Sequence, residues 1–316
     1  MSELKRCTKC TLPETHETIS FDEQGVCNVC KQIEYKEEKI DWEQKGKELV
    51  KIFDKYRGKY DYDCLVPYSG GKDSTWTLYA LMKKYKLRPL VMSFDHGFYR
   101  PTVEENNKRV FRALGCDVLK FTPNWHVVRK LMLEALKRKG DFCWHCHTGI
   151  FSYPMHVAIK YGIPLVIWGE PSSEYTSYYG YDDEESVDEE RFNRFVNLGI
   201  TAQDMLGMLD GTVTEKDLLP FTYPSERDLR KLKYRSFCLG SYIPWDTKRQ
   251  SDIIMKELGW RGEEVEGVPP EFSFEKIECA MQGVRDYLKY IKRGFARTTH
   301  LTTLEIRHNR MSRERA

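Results

Sequence analysis

Through the middle of the chain, short largely apolar runs alternate with stretches whose apolar residues recur at helical spacing. Residues 63–67, 88–94, 117–121 and 163–168 are runs of the first kind, each bounded by turn residues, and they predict strands. Residues 75–85, 101–114, 125–139 and 149–160 predict helices, the third through Val128, Leu131, Met132, Ala135 and Leu136. Pro101 opens the second of these where a proline is tolerated. Repeated strand–helix units with near-continuous apolar strands imply a parallel sheet covered on both faces, a doubly wound α/β fold. Ligands of such sheets sit at the carboxyl ends of the strands, where residues 68–74, Asp95-His96-Gly97 and Gly169-Glu170 fall.

The rhythm also divides the chain. Residues 1–35 form a small cysteine-bearing module, and residues 36–60, with Leu49, Val50, Ile52 and Phe53, form a helical connector. The main domain spans 61–250 with an insertion at about 171–224, where the alternation stops; residues 237–246 mark a return to the sheet. A helix over 247–260 ends near Gly259, and residues 251–316 make a helical, basic C-terminal region. Tyr175, Tyr178, Tyr179 and Tyr181 suit recognition of a sugar or base, whereas Asp182–Glu185 and Asp188–Glu190 read as a solvated face.

Composition narrows the partners. The 316 residues carry a net charge of +2 with charges of mixed sign, so neither a nucleic acid nor a membrane partner is expected. No signal peptide opens the chain and no apolar run reaches membrane-spanning length, which predicts a cytoplasmic protein. In a reducing compartment ten cysteines call for something other than disulfides. Cys7, Cys10, Cys27 and Cys30 follow C-x2-C-x16-C-x2-C, the spacing of a tetrahedral structural Zn2+ site in a ribbon too small to fold without its metal. Cys143-Trp144-His145-Cys146-His147 is a second dense group. It fits a second zinc, an iron–sulfur cluster completed by a distant cysteine such as Cys238, or a set of substrate contacts without metal.

Between the first strand and the first helix stands Ser69-Gly70-Gly71-Lys72-Asp73-Ser74. The glycines allow a tight turn and close approach to a ligand, the helix N-terminus presents amides to an anion, and Lys72 adds a cation where phosphate charge would lie. This is not the Walker spacing. It resembles the pyrophosphate loop of the ATP pyrophosphatase (PP-loop) superfamily, with an adenine nucleotide alpha hydrolase-like fold. Enzymes of that kind split ATP into AMP and pyrophosphate to activate a carbonyl oxygen. The resemblance places the nucleotide on Ser69, Gly70, Gly71, Lys72, Asp73 and Ser74, with Asp95, His96 and Gly169 at neighbouring strand ends. Lys72, Asp73 and Glu170 are the candidate catalytic groups, and Mg2+ would sit on one of the carboxylates Asp73, Asp95 or Glu170.

Together with Arg6-Cys7-x-x-Cys10-x-x-Pro13, Phe21-Asp22-x-x-Gly25-Val26-Cys27-Asn28-x-Cys30, residues 143–150 and Trp168-Gly169-Glu170, the loop makes the whole chain similar to the N-acetyl sugar amidotransferases of bacterial surface-polysaccharide and flagellin-glycan pathways. The resemblance implies conversion of the acetamido group of an activated sugar, a sugar nucleotide, into an acetamidino group. AMP is transferred to the amide oxygen, and ammonia attacks the resulting imidate-like carbon. Met1-Ser2 offers no N-terminal cysteine nucleophile and no glutaminase triad is evident, so separate glutaminase and cyclase-like subunits are expected to supply the ammonia. Relatives generally continue beyond a segment like residues 312–316. A tRNA thiolation enzyme, which also combines a cysteine-rich N-terminus, this loop and a C-x-x-C held iron–sulfur cluster, is the alternative.

Overall fold

The structure is a computed structural model that describes residues 4–174, 180–181, 187–197, 199–209 and 211–316, the side chains of residues 194 and 195 excepted. Tyr175, Tyr178, Tyr179 and Asp182–Glu185 lie outside the described residues. Five parallel strands form one sheet among the described residues: β1 (Cys64–Tyr68), β2 (Pro89–Phe94), β3 (Asp117–Phe121), β4 (Leu165–Trp168) and β5 (Arg235–Cys238), in the order β3-β2-β1-β4-β5. The fold is the expected doubly wound α/β architecture. The fifth strand is the piece that periodicity did not isolate, since Arg235–Cys238 is only four residues long.

Alternating side chains send β1 and β2 into two cores. Val66 and Val91 pack with α2 (Trp42–Asp54), α3 (Lys72–Tyr79), α4 (Pro101–Leu114) and α7 (Thr247–Leu258), through Phe53, Trp76, Val110 and Ile254. Leu65 and Leu90 pack on the other face against Met155 and Ala158 of α6 (Trp144–Tyr161). α5 (Trp125–Lys139) covers the β3 side through Val128 and Leu131.

α6 starts at Trp144, earlier than the expected Gly149, so the Cys-Trp-His-Cys-His group forms its first turn. Two contacts hold that start: the Cys143 amide donates to Asp141 Oδ1 at 2.8 Å, and buried Trp144 donates from Nε1 to the Ile200 carbonyl at 2.8 Å.

At the N-terminus, bridges Arg6–Pro13 and Phe21–Cys27 give the small module two antiparallel pairings. Its last cysteine pair leads into α1 (Asn28–Glu38). Lys36 of α1 is buried, pairs with Glu174, and donates to the Trp245 carbonyl at 3.1 Å. Tyr181 donates to the same Glu174 and is buried. It is part of this anchor, which corrects the expectation that it serves recognition. The C-terminal helices α8 (Gln282–Arg293) and α9 (Arg297–Arg307) lie beside the module, and Arg313 donates to the carbonyls of Cys7 and Cys10.

Candidate active site

In a sheet ordered β3-β2-β1-β4-β5 the chain leaves β1 and β4 toward opposite sides, and a crevice opens between their carboxyl ends. The Ser69–Ser74 turn follows β1 and Gly169-Glu170 follows β4, so both edge this crevice. Gly70 has φ +84°, and a Cβ there would meet Asn107 Oδ1 and Val103 Cγ1 at 2.6 Å. Only glycine fits. Its carbonyl accepts from Trp260 Nε1 at 3.2 Å. Within the turn the Ser69 and Ser74 hydroxyls lie 3.2 Å apart, the Gly71 amide donates to Ser69 Oγ at 3.3 Å, and Ser74 Oγ donates to the Gly71 carbonyl at 3.2 Å. Gly169 lets β4 approach α3 closely, since a Cβ there would meet Thr77 Oγ1 at 2.7 Å.

Lys72 begins α3 and is buried. Its Nζ lies 2.7 Å from Asp73 Oδ2 and 2.9 Å from Glu275 Oε1. Burial disfavours the ammonium, but Asp73, Glu275 and Glu170 outweigh it and hold the lysine above its ordinary range. The same pairing keeps buried Glu275 below the usual carboxylate range against the cost of its desolvation. Asp73 Oδ1 is buried without a hydrogen-bond partner. One cation thus faces three carboxylates, and an orphaned oxygen beside them suits a divalent ion of the Mg2+ type.

Past β2, Asp95 is ionised against its partial burial by Lys120 at 2.9 Å, by the Gly97 amide at 2.9 Å and by Thr122 at 3.3 Å. His96 is buried, which lowers its pKa. Its Nδ1 accepts from the Phe98 amide at 3.3 Å, which puts the proton on Nε2, and Nε2 is buried without a hydrogen-bond partner.

Sequence reasoning missed two acids that the C-terminal region delivers here. Besides Glu275, the Glu278 carboxylate reaches 3.0 Å from where a Gly71 Cβ would stand and bears on His96. Both lie in a turn-rich stretch without periodicity or motif, so no local signal marks them.

The second cysteine group needs a correction. His145 Nε2 lies 3.3 Å from the His96 carbonyl, beside the end of β2. Cys238 closes β5, three strand positions away or about 14 Å at ordinary strand spacing, where Arg191 donates toward its sulfur at 3.9 Å. The cysteine whose charge bears on Cys143 and Cys146 is Cys279, whose turn is tied to the same loop by the Ala280 amide donating to the Phe98 carbonyl at 2.9 Å. Burial pushes the Cys143 thiol up to about 12 and raises Cys146 and Cys279 as well.

Cys7, Cys10, Cys27 and Cys30 converge, with all four sulfurs within 4.8 Å of one another. Two amides donate to Cys7 Sγ and one to Cys27 Sγ at 3.2–3.4 Å, as around a metal-bound thiolate. Donor set and spacing fit tetrahedral Zn2+.

No family model matches the chain. It is 25% identical over 166 residues to an uncharacterized protein of Methanocaldococcus jannaschii, a match that spans 52% of this chain and 58% of that relative's length. Among solved structures, an NMN synthetase from Francisella tularensis aligns with a TM-score of 0.36 and 12% identity over 88% of this chain and 97% of its own. The U34-tRNA thiolase NcsA from Methanococcus maripaludis, solved with its 4Fe–4S cluster, aligns with a TM-score of 0.35 and 14% identity over 98% and 87%. At these scores neither bears on what this chain does.

Proposed function

We propose that the chain is an ATP-dependent amidotransferase that converts the acetamido group of an activated sugar to an acetamidino group. The observation that carries the nucleotide half of this reading is Lys72, a buried ammonium at a helix N-terminus directly behind a glycine turn in the sheet crevice. An amide carbonyl is a poor electrophile. When its oxygen attacks the α-phosphorus of ATP, pyrophosphate leaves and an O-adenylyl imidate forms; ammonia then adds to the imidate carbon, and AMP departs with the former amide oxygen to give the amidine. The turn amides and Lys72 would bear the charge of the leaving pyrophosphate. Mg2+ held by Asp73 with Glu170 or Glu275 would neutralise phosphate oxygens. His96 and Asp95, at the next strand end, would orient the nucleoside. Ammonia would come from a separate glutaminase through a cyclase-like subunit.

AMP and pyrophosphate release from ATP, with ammonium present, tests this reading on acetamido-bearing sugar nucleotides and on tRNA. Release that requires the sugar, with a product in which oxygen is replaced by NH, supports it. If glutamine alone served as well as ammonium, the separate glutaminase would be wrong.

One observation favours the thiolation alternative. Cys143 and Cys146 lie on the first turn of α6, whose His145 reaches the His96 carbonyl, and the charge of Cys279 bears on both thiols, a neighbourhood in which three cysteines could serve an iron–sulfur cluster. Anaerobic purification distinguishes the readings: an iron chromophore lost in Cys279→Ser but kept in Cys238→Ser, with AMP release dependent on tRNA, would replace the amidotransferase assignment.

A further inference from the structure

Helix α8 turns its polar side inward and its apolar side out. Gln282 and Asp286 are buried, Arg285 faces Asp141 at 3.7 Å, Asp286 faces Arg297 at 3.7 Å, and Arg293 pairs with Glu17 of the N-terminal module. On the opposite side Val284, Tyr287 and Ile291 are 50%, 63% and 62% exposed. At 100° per residue these three make one stripe along the helix. Across a groove of about 760 Å³ the stripe continues onto α5, where Trp125, Leu133 and Leu136 are exposed. Leaving such a surface in water is costly, and contiguous apolar patches of this kind mark interaction sites.

The border of the patch is cationic. Arg129 lines the groove, Lys137, Arg138 and Lys139 end α5, and Lys292 reaches across to donate to the Lys139 carbonyl at 3.2 Å. Glu134 is the acid paired with Lys137 and Arg138. With a net charge of only +2 over the whole chain, this concentration is local, which is why composition alone argued against a membrane partner. A second copy seated on the patch would bring two such cationic borders together. Protruding aliphatic side chains, ring-bearing Trp125 and Tyr287, and a fringe of lysine and arginine together match an anionic bilayer surface.

We infer that α8 and α5 form a membrane-docking face that seats in the plane of an anionic bilayer, with Val284, Tyr287 and Ile291 at the acyl boundary and Lys137, Arg138 and Lys292 at lipid phosphates. Among the described residues no helix is long and apolar enough to cross a membrane, so the contact is interfacial. Phe98, which follows the His96 turn, packs on Trp125 at the inner end of the groove, so docking brings the candidate site close to the bilayer. The inference is independent of which reaction the site performs.

Sedimentation of the full chain with phosphatidylglycerol–phosphatidylcholine vesicles, against phosphatidylcholine alone and at low and high salt, tests it. Binding should require phosphatidylglycerol, weaken with salt, and fall by about tenfold or more in the double variant Val284→Glu/Ile291→Glu. Circular dichroism and thermal melting check that the variant folds; Leu133→Glu on α5 reads the same face should it fail. Absence of binding at low salt, or equal binding by both Glu variants, overturns the inference. So does a wild-type dimer that these variants dissociate, because the patch would then belong to a second copy.

Discussion

Lys72 Nζ lies 2.9 Å from the Glu275 carboxylate, so a residue far along the chain completes the charge balance of the glycine turn. Removing one member of a buried pair strands the other, at a cost of about 3–5 kcal/mol. Lys72→Met should therefore abolish ATP-dependent pyrophosphate release, by about 100-fold or more if the lysine carries transition-state charge. Glu275→Gln keeps an acceptor for Lys72 and should lower stability by less, about 1–3 kcal/mol, with activity reduced rather than lost. Urea unfolding and AMP release check the two together; full activity in Lys72→Met would remove the lysine from the reaction.

Gly70 and Gly46 make a paired test of the backbone. At Gly70 the positive φ and the 2.6 Å approach of Asn107 and Val103 leave no room for a methyl, so Gly70→Ala should destabilise by about 1–3 kcal/mol and weaken ATP binding. Gly46 sits inside α2 with nothing within 4 Å of its Cβ position, and Gly46→Ala should stabilise by about 0.5–1 kcal/mol. Thermal melts and nucleotide titration would report both; a neutral Gly70→Ala would mean that the turn relaxes.

His16 gives the pH dependence a sign. Burial lowers its pKa from 6.5 to about 4, with the ring packed on Phe295 and His300. A depressed folded value means that the neutral ring is the one folding favours. The stability it contributes is full above about pH 6.5 and is lost as pH falls toward 4, by up to about 2–3 kcal/mol. His16→Phe should flatten melting temperature against pH in that window. An unchanged acid limb would show that other groups set it.

The ribbon should fold only with its metal. Purified chain is expected to hold one Zn2+ on Cys7, Cys10, Cys27 and Cys30, and Cys10→Ser or strong chelation should release it. Because Lys36 and Arg313 tie this module to the main domain and the C-terminal residues, melting temperature should fall with metal content. Elemental analysis alongside calorimetry measures both.

Much of this was legible along the chain. Residues 101–114 and 125–139 are helices with the bounds their periodicity predicts, and residues 117–121 are a strand as predicted, because local apolar spacing dictates which face can be buried. The four-cysteine site was legible because its ligands come in two short pairs. The early start of α6 was not, because a buried tryptophan bonded to the distant Ile200 carbonyl fixes it.

The sequence by itself determined the strand–helix alternation, the glycine turn and the zinc-type knuckles, all of which are written in residues within a few positions of one another. Only the tertiary structure decided that Glu275 and Glu278 enter the crevice, that Cys279 rather than Cys238 bears on Cys143 and Cys146, and that α8 shows its apolar side to solvent. Each of these depends on contacts between segments distant in sequence, which come together only when burial of the common core outweighs the entropy of closing the chain between them.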